Sequence, residues 1–527
     1  MKNKLIYFLF IVSALTVNNA AFSQVYEKDA AGDYVIATSS DVMKYNPPQP
    51  DAIRGGLFRD TSLAERLSNV ALFITDNKTE TSVYTKRLNP GGMKLNFFYP
   101  KVLAGKNAAN QELPVIIFGY GGGFLNAYSL LNLGGGPADG HIERWLAKKG
   151  YIVIAPEYRI GIDLFDEELA KRAVWRAVQD IRKVVQKCKS FRTTTYCVDA
   201  SKPITYVGYS SGGFIGLHNL YFNDGANRPQ STKAGFPTLV GPFNSYKTTA
   251  VTQDLGTLND PVGGYESGIP NQESGMSEQY VPDITVSLSG ALGDVSWITT
   301  NLNVKPKALY LIHHPLDGVV PFTNGSAYEG FGLFASDNFN YPQVSGSHSI
   351  NYVFDNELVP YIIQPDYYKY SVIDADCSAY PAGTCIQGNA GGEVGPLSKI
   401  KWYHNPTDDA TNENVMKSIL KFIQDSTYNL LNPNSPIVIS KQSVINEKTN
   451  VNNIAITLYP NPLKGDILNI TAVPENTTYK ITNTLGQVLS KGAIDNGTIK
   501  INTLSTGTYF IELVTNEQRI VKQIIKQ

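Results

Sequence analysis

Hydrophobic and polar positions follow two patterns in turn between residues 94 and 422. Short apolar runs rich in β-branched side chains predict buried strands, and apolar residues three or four positions apart predict helices. The predicted strands are 94–100, 113–119, 151–156, 204–207, 283–288, 307–313 and 397–403. The predicted helices are 141–149, 169–188, 214–220 and 415–422. Strands that alternate with helices predict an α/β fold with a mostly parallel sheet.

The pattern changes in three other places along the chain. Residues 24–84 are mixed and are predicted to pack around the main sheet. Residues 222–282, rich in Gly, Asn, Pro and Thr, predict an insertion that either covers a site or forms a surface loop. Beyond residue 431 a Pro-, Asn- and Ser-rich linker, 432–453, precedes short alternating strands typical of a β-sandwich. We therefore predict an α/β domain over 24–431 and an all-β domain over 454–527.

Residues 1–23 have the features of a secretory signal peptide. Lys2 and Lys4 precede an apolar core, and Ala21-Phe22-Ser23 forms a small-residue cleavage pattern. The apolar run is shorter than the ~20 residues that a membrane-spanning helix needs. We therefore expect export and no transmembrane segment.

Composition and cysteine content narrow the class of protein. The net charge of −1 argues against a nucleic-acid partner, because phosphate binding needs a basic surface. Four cysteines suit an oxidising compartment, and proximity in sequence suggests the pairs Cys188–Cys197 and Cys377–Cys385 among three possible connectivities. Neither pair lies in a metal-type cluster with histidines, and no cofactor is expected.

A Gly-Tyr-Ser-Ser-Gly sequence occupies 208–212, between the predicted strand 204–207 and the predicted helix 214–220. In this context the two glycines permit a sharp turn that exposes the hydroxyl of Ser210. A plain Gly-Ser turn has the same sequence pattern, so the surrounding segments must decide between the two interpretations.

A Tyr-Gly-Gly-Gly-Phe sequence at 120–124 follows the predicted strand 113–119. Backbone N–H groups of such a loop can stabilise an oxyanion. A flexible turn and a phosphate-binding loop are the alternatives. The dinucleotide-binding fingerprint fails because Phe124 stands where the third glycine is needed.

These two segments, with Tyr158-Arg159 between them, resemble the carboxylesterase/lipase branch of the α/β-hydrolases over about 113–422. The resemblance implies Ser210 as the nucleophile. It also implies an oxyanion hole built from the N–H groups of Gly122, Gly123 and Ser211. Related esterases often have His where this chain has Tyr120, but the glycine backbone supplies the chemistry. Metal and organic cofactors are not implied.

The acid and the base follow from the same resemblance. Asp317, after the strand 307–313 and before Val-Val-Pro, matches the family's acid position, although an Asp-Gly pair is also a common turn. Asp294 is the other candidate for the acid. If Asp317 is the acid, Asp294 is expected to shape the pocket beside Trp297. The family order Ser, Asp, His makes His404 the base. Candidate pocket residues are Tyr120, Phe124, Tyr209, Asp294 and Trp297.

Besides His404, only His348 lies beyond Asp317 in the chain. His348, in Ser-His-Ser at 347–349, is predicted to open a helix. His313 and His314 end a strand and could line the site, but the family order makes neither of them the base.

Four segments of the C-terminal region, 454–462, 484–487, 504–509 and 522–526, together resemble the sorting domain of type IX secretion substrates. The resemblance implies an Ig-like sandwich that interacts with the secretion machinery. It also implies export through the periplasm and outer membrane of a Gram-negative bacterium to the surface or medium. The alternative is an Ig-like domain that binds substrate or packs on the enzyme.

The sequence as a whole predicts a secreted serine hydrolase that cleaves carboxylic esters through a Ser-His-Asp acyl-enzyme mechanism. Its expected substrates are small-molecule or polysaccharide-linked esters. A serine peptidase of the same fold, and a catalytically dead binding or adhesion protein, are the alternatives.

Overall fold

The structure is a computed structural model of the chain. It describes residues 25–45, 47–50, 88, 92–108, 111–124, 141–162, 166–188, 197–222, 225, 227–240, 247–259, 261–262, 280–300, 306–327, 342–355, 364–374, 376–388, 409–434, 458–459, 463–471, 477–483, 488–494, 497–514 and 519–526. The predicted signal peptide, the predicted strand 397–403 and nearly all of the predicted linker lie outside the described residues.

The helices and the first sixteen strands belong to the α/β part of the chain. The helices are α1 (His141–Lys148), α2 (Glu167–Cys188), α3 (Ser211–Tyr221), α4 (Ser296–Thr300), α5 (Ser347–Asp355) and α6 (Asp409–Leu431). The strands are β1 (Ile36–Met43), β2 (Met93–Pro100), β3 (Glu112–Leu113), β4 (Val115–Gly119), β5 (Ile152–Pro156), β6 (Cys197–Val198), β7 (Thr205–Tyr209), β8 (Pro237–Val240), β9 (Lys247–Ala250), β10 (Ile284–Leu288), β11 (Ala291–Leu292), β12 (Ala308–His313), β13 (Asn324–Ser326), β14 (Gln343–Gly346), β15 (Tyr367–Asp374) and β16 (Cys385–Gln387).

Nine of these strands form one sheet in the order β1-β2-β5-β4-β7-β10-β12-β15-β16. From β5 to β16 every neighbouring pair is parallel, and β1 and β2 add two antiparallel pairs at one edge. Every residue of β4, β5, β7, β10 and β12 is buried, as parallel strands covered by helices on both faces must be. The predicted α/β fold with a mostly parallel sheet is confirmed, and it is consistent with an α/β-hydrolase.

The sheet contains three strands that the sequence analysis does not predict: β15, inside the sheet between β12 and β16, and the edge strands β1 and β16. Within the stretch 24–84, β1 joins the sheet instead of only packing around it. Most of β1 is exposed, so its sequence lacks the apolar alternation of a half-buried strand. At the other edge β16 is too short to carry a period.

Helix α2 carries a buried row of polar side chains that hold the segment 227–262. The Arg172 guanidinium and the Gln179 amide each donate to two backbone carbonyls of that segment. The Arg182 guanidinium donates to the side chain of Asn259 at 3.0 Å. The described residues of this segment, 227–240, 247–259 and 261–262, are therefore packed on α2, while 241–246, 260 and 263–279 lie outside the described residues.

One of the two predicted disulfides is confirmed and the other is wrong. Cys377 and Cys385 are bonded, with Cα atoms 5.5 Å apart, and join the turn after β15 to β16. Cys188 is a free, buried thiol, so the pairing with Cys197 is not formed. The apolar face of α2 continues into its last turn and places the Cys188 side chain in the core, where burial raises the pKa of the thiol to about 12.

The C-terminal region is all-β in the described residues. Its strands are β17 (Leu458–Tyr459), β18 (Ile467–Ile470), β19 (Thr478–Asn483), β20 (Val488–Ala493), β21 (Thr498–Lys500), β22 (Gly507–Val514) and β23 (Arg519–Lys526). They form a three-stranded sheet, β17-β18-β21, and a four-stranded sheet, β20-β19-β22-β23. Apolar side chains from both sheets share one core.

Among the helices that the structure describes, none combines the length and the apolar character needed to cross a membrane.

Candidate active site

The candidate residues lie at the carboxyl ends of the central strands, where the order of the sheet reverses. The chain runs from β4 to β5 on one side of β4, and the next sheet strand, β7, lies on the other side. In open parallel sheets, ligands bind in the crevice that such a reversal leaves. The glycine-rich loop 120–124 follows β4 and the Ser210 turn follows β7, so both border this crevice.

Ser210 occupies the turn between β7 and α3 with φ 54° and ψ −121°. A positive φ is costly for any residue with a Cβ, and such strain concentrates at functional sites. Its N–H donates to the carbonyl of Leu288 on β10 at 2.9 Å, and its carbonyl accepts the N–H of Phe214 at 3.0 Å. The turn is therefore fixed by backbone bonds on both sides of a strained serine.

Both motif glycines are required by close backbone contacts. A Cβ on Gly212 would lie 1.8 Å from the carbonyl oxygen of Gly119 at the end of β4. A Cβ on Gly208 would lie 2.2 Å from the carbonyl oxygen of Gly212. Side chains at these positions would push the serine turn away from the glycine-rich loop, so the Gly-x-Ser-x-Gly pattern has a steric reason here.

The glycine-rich loop passes directly beside Ser210. A Cβ on Gly121 would lie 3.0 Å from the Cβ of Ser210. Gly122, Gly123 and Phe124 all have positive φ values, of 130°, 61° and 58°. Successive residues in this conformation turn the backbone sharply. The loop thus brings the predicted oxyanion-hole glycines to the same place as the predicted nucleophile.

Tyr158, after β5, joins the glycine-rich loop to the serine turn. Its buried hydroxyl lies 2.9 Å from the carbonyl oxygen of Tyr120 and 3.1 Å from Oγ of Ser211. Since a carbonyl oxygen only accepts, the phenol donates to Tyr120 and accepts from Ser211. The Tyr158 and Tyr120 rings also stack, with centroids 4.5 Å apart. One side chain therefore contacts both segments of the predicted oxyanion hole.

Asp317 lies in the loop that follows β12, with a fully buried side chain. Its Oδ1 accepts the N–H groups of Val319 at 2.8 Å and Val320 at 3.0 Å. Its Oδ2 lies 3.0 Å from Nε2 of His313. Asp317 also forms the turn that an Asp-Gly pair predicts, because its own N–H donates to the carbonyl of His314 at 3.1 Å.

Tyr209, the residue before Ser210, lies against the glycine-rich loop and within electrostatic reach of Asp317. Its ring lies 3.0 Å from the position that a Cβ on Gly121 would take. Burial raises the pKa of Tyr209 well above its ordinary value, and the neighbouring Asp317 carboxylate raises it further. The structure thus places Asp317 near the residue that precedes Ser210.

Asp294 has a different environment at the start of α4. Its Oδ1 accepts the N–H of Ser296 at 2.7 Å, and its carbonyl accepts the N–H of Trp297 at 3.2 Å. These are the contacts of a residue that caps a helix. The Trp297 ring packs on Phe222, with centroids 5.1 Å apart, and on His218, with centroids 5.6 Å apart.

Phe124, the last of the pocket candidates, is buried. Its ring meets those of Tyr158 at 6.2 Å and Phe214 at 6.4 Å, both edge to face.

Of the histidines, the predicted base His404 lies outside the described residues. His348 lies in the first turn of α5, which confirms that it starts a helix. The ring of His314 accepts the N–H of Leu316 at its Nδ1, and burial lowers the pKa of His314 to about 4. His313 is fully buried against Asp317.

His218, on α3 behind Ser210, is a buried histidine that the sequence gives no reason to single out. Its Nδ1 lies 2.8 Å from the carbonyl oxygen of Phe214, and its Nε2 accepts the N–H of Gly293 at 3.2 Å. The ring is therefore neutral, with its proton on Nδ1. Burial lowers the pKa of His218 from 6.5 to about 4.

We expect His218 to make stability depend on pH in mildly acid solution. Between pH 6.5 and 4 the unfolded chain binds a proton that the folded protein excludes, so the free energy of unfolding falls as the pH falls through this window. The expected loss is about 1 kcal/mol at pH 5.5 and about 3 kcal/mol below pH 4. Chemical denaturation at pH values from 7.5 to 4.5 measures it.

The control for this prediction is His218→Gln, which can keep an acceptor at the place of Nε2 but does not titrate. His314 and Asp355, whose pKa values are lowered to about 4 and raised to about 6, are present in both proteins. The difference between the two stability curves therefore isolates His218. Parallel curves between pH 6.5 and 4.5 would contradict the prediction.

Comparison with known proteins identifies the C-terminal region. Residues 457–527 match the family described as "Secretion system C-terminal sorting domain". This confirms the predicted sorting domain. The protein is therefore exported through the type IX secretion machinery of a Gram-negative bacterium of the Bacteroidetes type, and it is secreted or displayed at the cell surface. No curated protein matches the chain.

Solved structures similar to the chain include two hydrolases and one secretion component. Est2, an esterase from Thermogutta terrifontis, is 17% identical over 46% of this chain and 72% of its own, with a TM-score of 0.25. An α/β serine hydrolase without a lid from Xanthomonas campestris is 15% identical over 46% and 75%, with a TM-score of 0.20. PorZ from Porphyromonas gingivalis, a surface component of the type-IX secretion system, is 20% identical over 14% of this chain and 11% of its own, with a TM-score of 0.13.

Proposed function

We propose that this protein is a secreted serine hydrolase that cleaves carboxylic esters, with Ser210 as its nucleophile. The observation that carries the proposal is the contact between a strained serine and a glycine-rich loop. Ser210 has a positive φ, and the backbone of Gly121 passes beside its Cβ. An ordinary Gly-Ser turn needs neither the strain nor the neighbouring loop.

In the proposed mechanism His404 takes the proton of Ser210 as the serine attacks the ester carbonyl. The N–H groups of Gly122, Gly123 and Ser211 bind the tetrahedral oxyanion. His404 then protonates the leaving alcohol, and water attacks the acyl-enzyme by the same route. Asp317 orients the base and stabilises its imidazolium form. The burial of Asp317 and its proximity to Tyr209 support this assignment.

The proposal extends to the organisation of the chain. A signal peptide over 1–23 and an α/β-hydrolase domain over 24–431 precede a linker over 432–453. An Ig-like sandwich over 454–527 follows, and its two sheets with a shared core support that architecture. In this organisation the sorting domain exports the enzyme and all proposed catalytic residues lie upstream of it.

Labelling with a fluorophosphonate tests the proposal. The purified protein should bind the probe covalently at Ser210, and Ser210→Ala should remain unlabelled. Ser289→Ala is the matched control, because Ser289 is also a buried serine at a strand end with positive φ, of 51°. An unlabelled wild-type protein would support a catalytically dead binding protein.

The substrate class is tested with a panel of esters and peptides. Short-acyl, long-acyl and aromatic-acid sugar esters should include a substrate that requires Ser210. Peptide cleavage that depends on Ser210, without ester cleavage, would instead support the peptidase alternative.

A further inference from the structure

His313 ends β12 and lies four residues before Asp317. Its side chain is fully buried. Nε2 lies 3.0 Å from Oδ2 of Asp317 and 3.1 Å from the carbonyl oxygen of Val320, and Nδ1 lies 3.1 Å from Oγ of Ser347. Both ring nitrogens therefore have partners inside the protein.

The contacts of His313 require a proton on its Nε2 nitrogen. The carbonyl oxygen of Val320 can only accept, so Nε2 carries a proton and donates it to this oxygen and to the Asp317 carboxylate. Nδ1 faces the hydroxyl of Ser347. With both nitrogens engaged, the ring has no position left from which to take the proton of Ser210.

Asp317, His313 and Ser347 form a carboxylate–imidazole–hydroxyl chain that has the composition of a catalytic triad. The residue Ser347 has no exposed surface, however, and lies at the start of α5. A serine that substrate cannot reach cannot act as a nucleophile. These contacts link the loop after β12 to the start of α5. The role of His313 must therefore lie in its effect on Asp317.

The Asp317 carboxylate receives donors on both of its oxygens. The backbone N–H groups of Val319 and Val320 donate to Oδ1, and the His313 ring donates to Oδ2. Hydrogen bonds to a charged acceptor are about twice as strong as neutral ones. Donors on both oxygens also prevent the carboxylate from rotating. An ionised oxygen accepts about two hydrogen bonds, so the single donor from His313 does not by itself saturate Oδ2.

We propose that His313 is a positioning residue for the hydrolytic reaction: its Nε2–H holds the Asp317 carboxylate in the orientation that the base requires. This inference rests on the proposed function, in which Asp317 is the acid. His313 itself does not touch the substrate, and it acts only through Asp317.

Three substitutions of His313 test the proposal by kinetics on one activated ester. His313→Gln can keep an N–H at the place of Nε2, whereas His313→Asn reaches only the place of Nδ1 and His313→Leu removes both. We expect His313→Gln to retain kcat within about threefold. His313→Asn and His313→Leu should lose roughly 10- to 100-fold in kcat with KM within about twofold, the cost of a misplaced catalytic group. Equal losses in the Gln and Asn variants would overturn the proposal.

Two further variants separate positioning from a structural role. Ser347→Ala removes the contact to Nδ1 and leaves the contact to Asp317, so kcat should change by less than about threefold. In an Asp317→Asn background, His313→Leu should cost almost nothing more, because there is no carboxylate left to hold. A further tenfold loss in that background would overturn the proposal, whatever the melting temperatures of the single variants are.

Failure of this inference differs from failure of the proposed function. If Asp317→Asn is nearly inactive and His313→Leu is fully active, only the role of His313 is wrong. If Ser210→Ala retains activity, the proposed function itself is wrong.

Discussion

Ser210→Ala should lose about 10⁶ in turnover of an activated ester, as expected when the nucleophile of a triad is removed. The hydroxyl lies at a turn held by backbone bonds to Leu288 and Phe214, which the substitution keeps. The melting temperature should therefore change little. Initial rates with equal concentrations of folded protein measure the loss, and Ser289→Ala provides the control. Activity within tenfold of the wild type would place the reaction elsewhere.

A second substitution at the same position measures the strain. Ser210→Gly also removes the nucleophile, but glycine accepts φ 54° without the cost that any Cβ imposes. Glycine also adds conformational entropy to the unfolded chain, which offsets part of this gain. The net expectation is that Ser210→Gly is more stable than Ser210→Ala by roughly 1 kcal/mol. If the alanine variant is the more stable of the two, the serine turn is not strained.

Asp317→Asn should lose about 10⁴ in turnover with substrate binding little altered, because the amide no longer holds the base in the required tautomer. Asp294→Asn should lose nearer tenfold. The contacts explain the difference: the Asp317 carboxylate is buried beside the site, whereas Asp294 caps α4. An Asn side chain can still cap a helix.

Both aspartate variants must be assayed side by side on one ester, with melting temperatures to exclude unfolding. A large loss in Asp294→Asn and a small one in Asp317→Asn would reverse the assignment. Asp317 would then only form the turn after β12, and the proposed role of His313 would fail with it.

The strands β4, β5, β7, β10 and β12 were predictable because burial on both faces gives them nearly continuous apolar sequences. β1 and β15 were not, since most of β1 is exposed and β15 has polar residues at Lys369, Ser371 and Asp374. The Cys188 pairing failed because proximity in sequence does not tell which way a helical side chain points. The steric need for Gly212 concerns the carbonyl of Gly119, a contact between the start of α3 and the end of β4 that no local pattern encodes.

The candidate site shows the same division between local and long-range information. Ser210 and the glycine-rich loop can be recognised from local sequence motifs. Tyr158 was noticed only as part of a resemblance, and its link between Tyr120 and Ser211 becomes visible once three strands are assembled. The family order excludes His313 as the base, but order along the chain carries no information about a role that depends on the contact with Asp317.

The buried polar row on α2 has a consequence for protein engineering. A long irregular segment after the nucleophile helix is an obvious place to exchange loops between enzymes when a new substrate range is wanted. Here the side chains of Arg172, Gln179 and Arg182 donate hydrogen bonds to backbone or side-chain oxygen atoms of 227–262. Excision of that segment would remove two carbonyl acceptors from Arg172, two from Gln179 and one side-chain acceptor from Arg182 in the protein interior. Chimeras of this protein should therefore keep 227–262 and α2 from the same parent sequence.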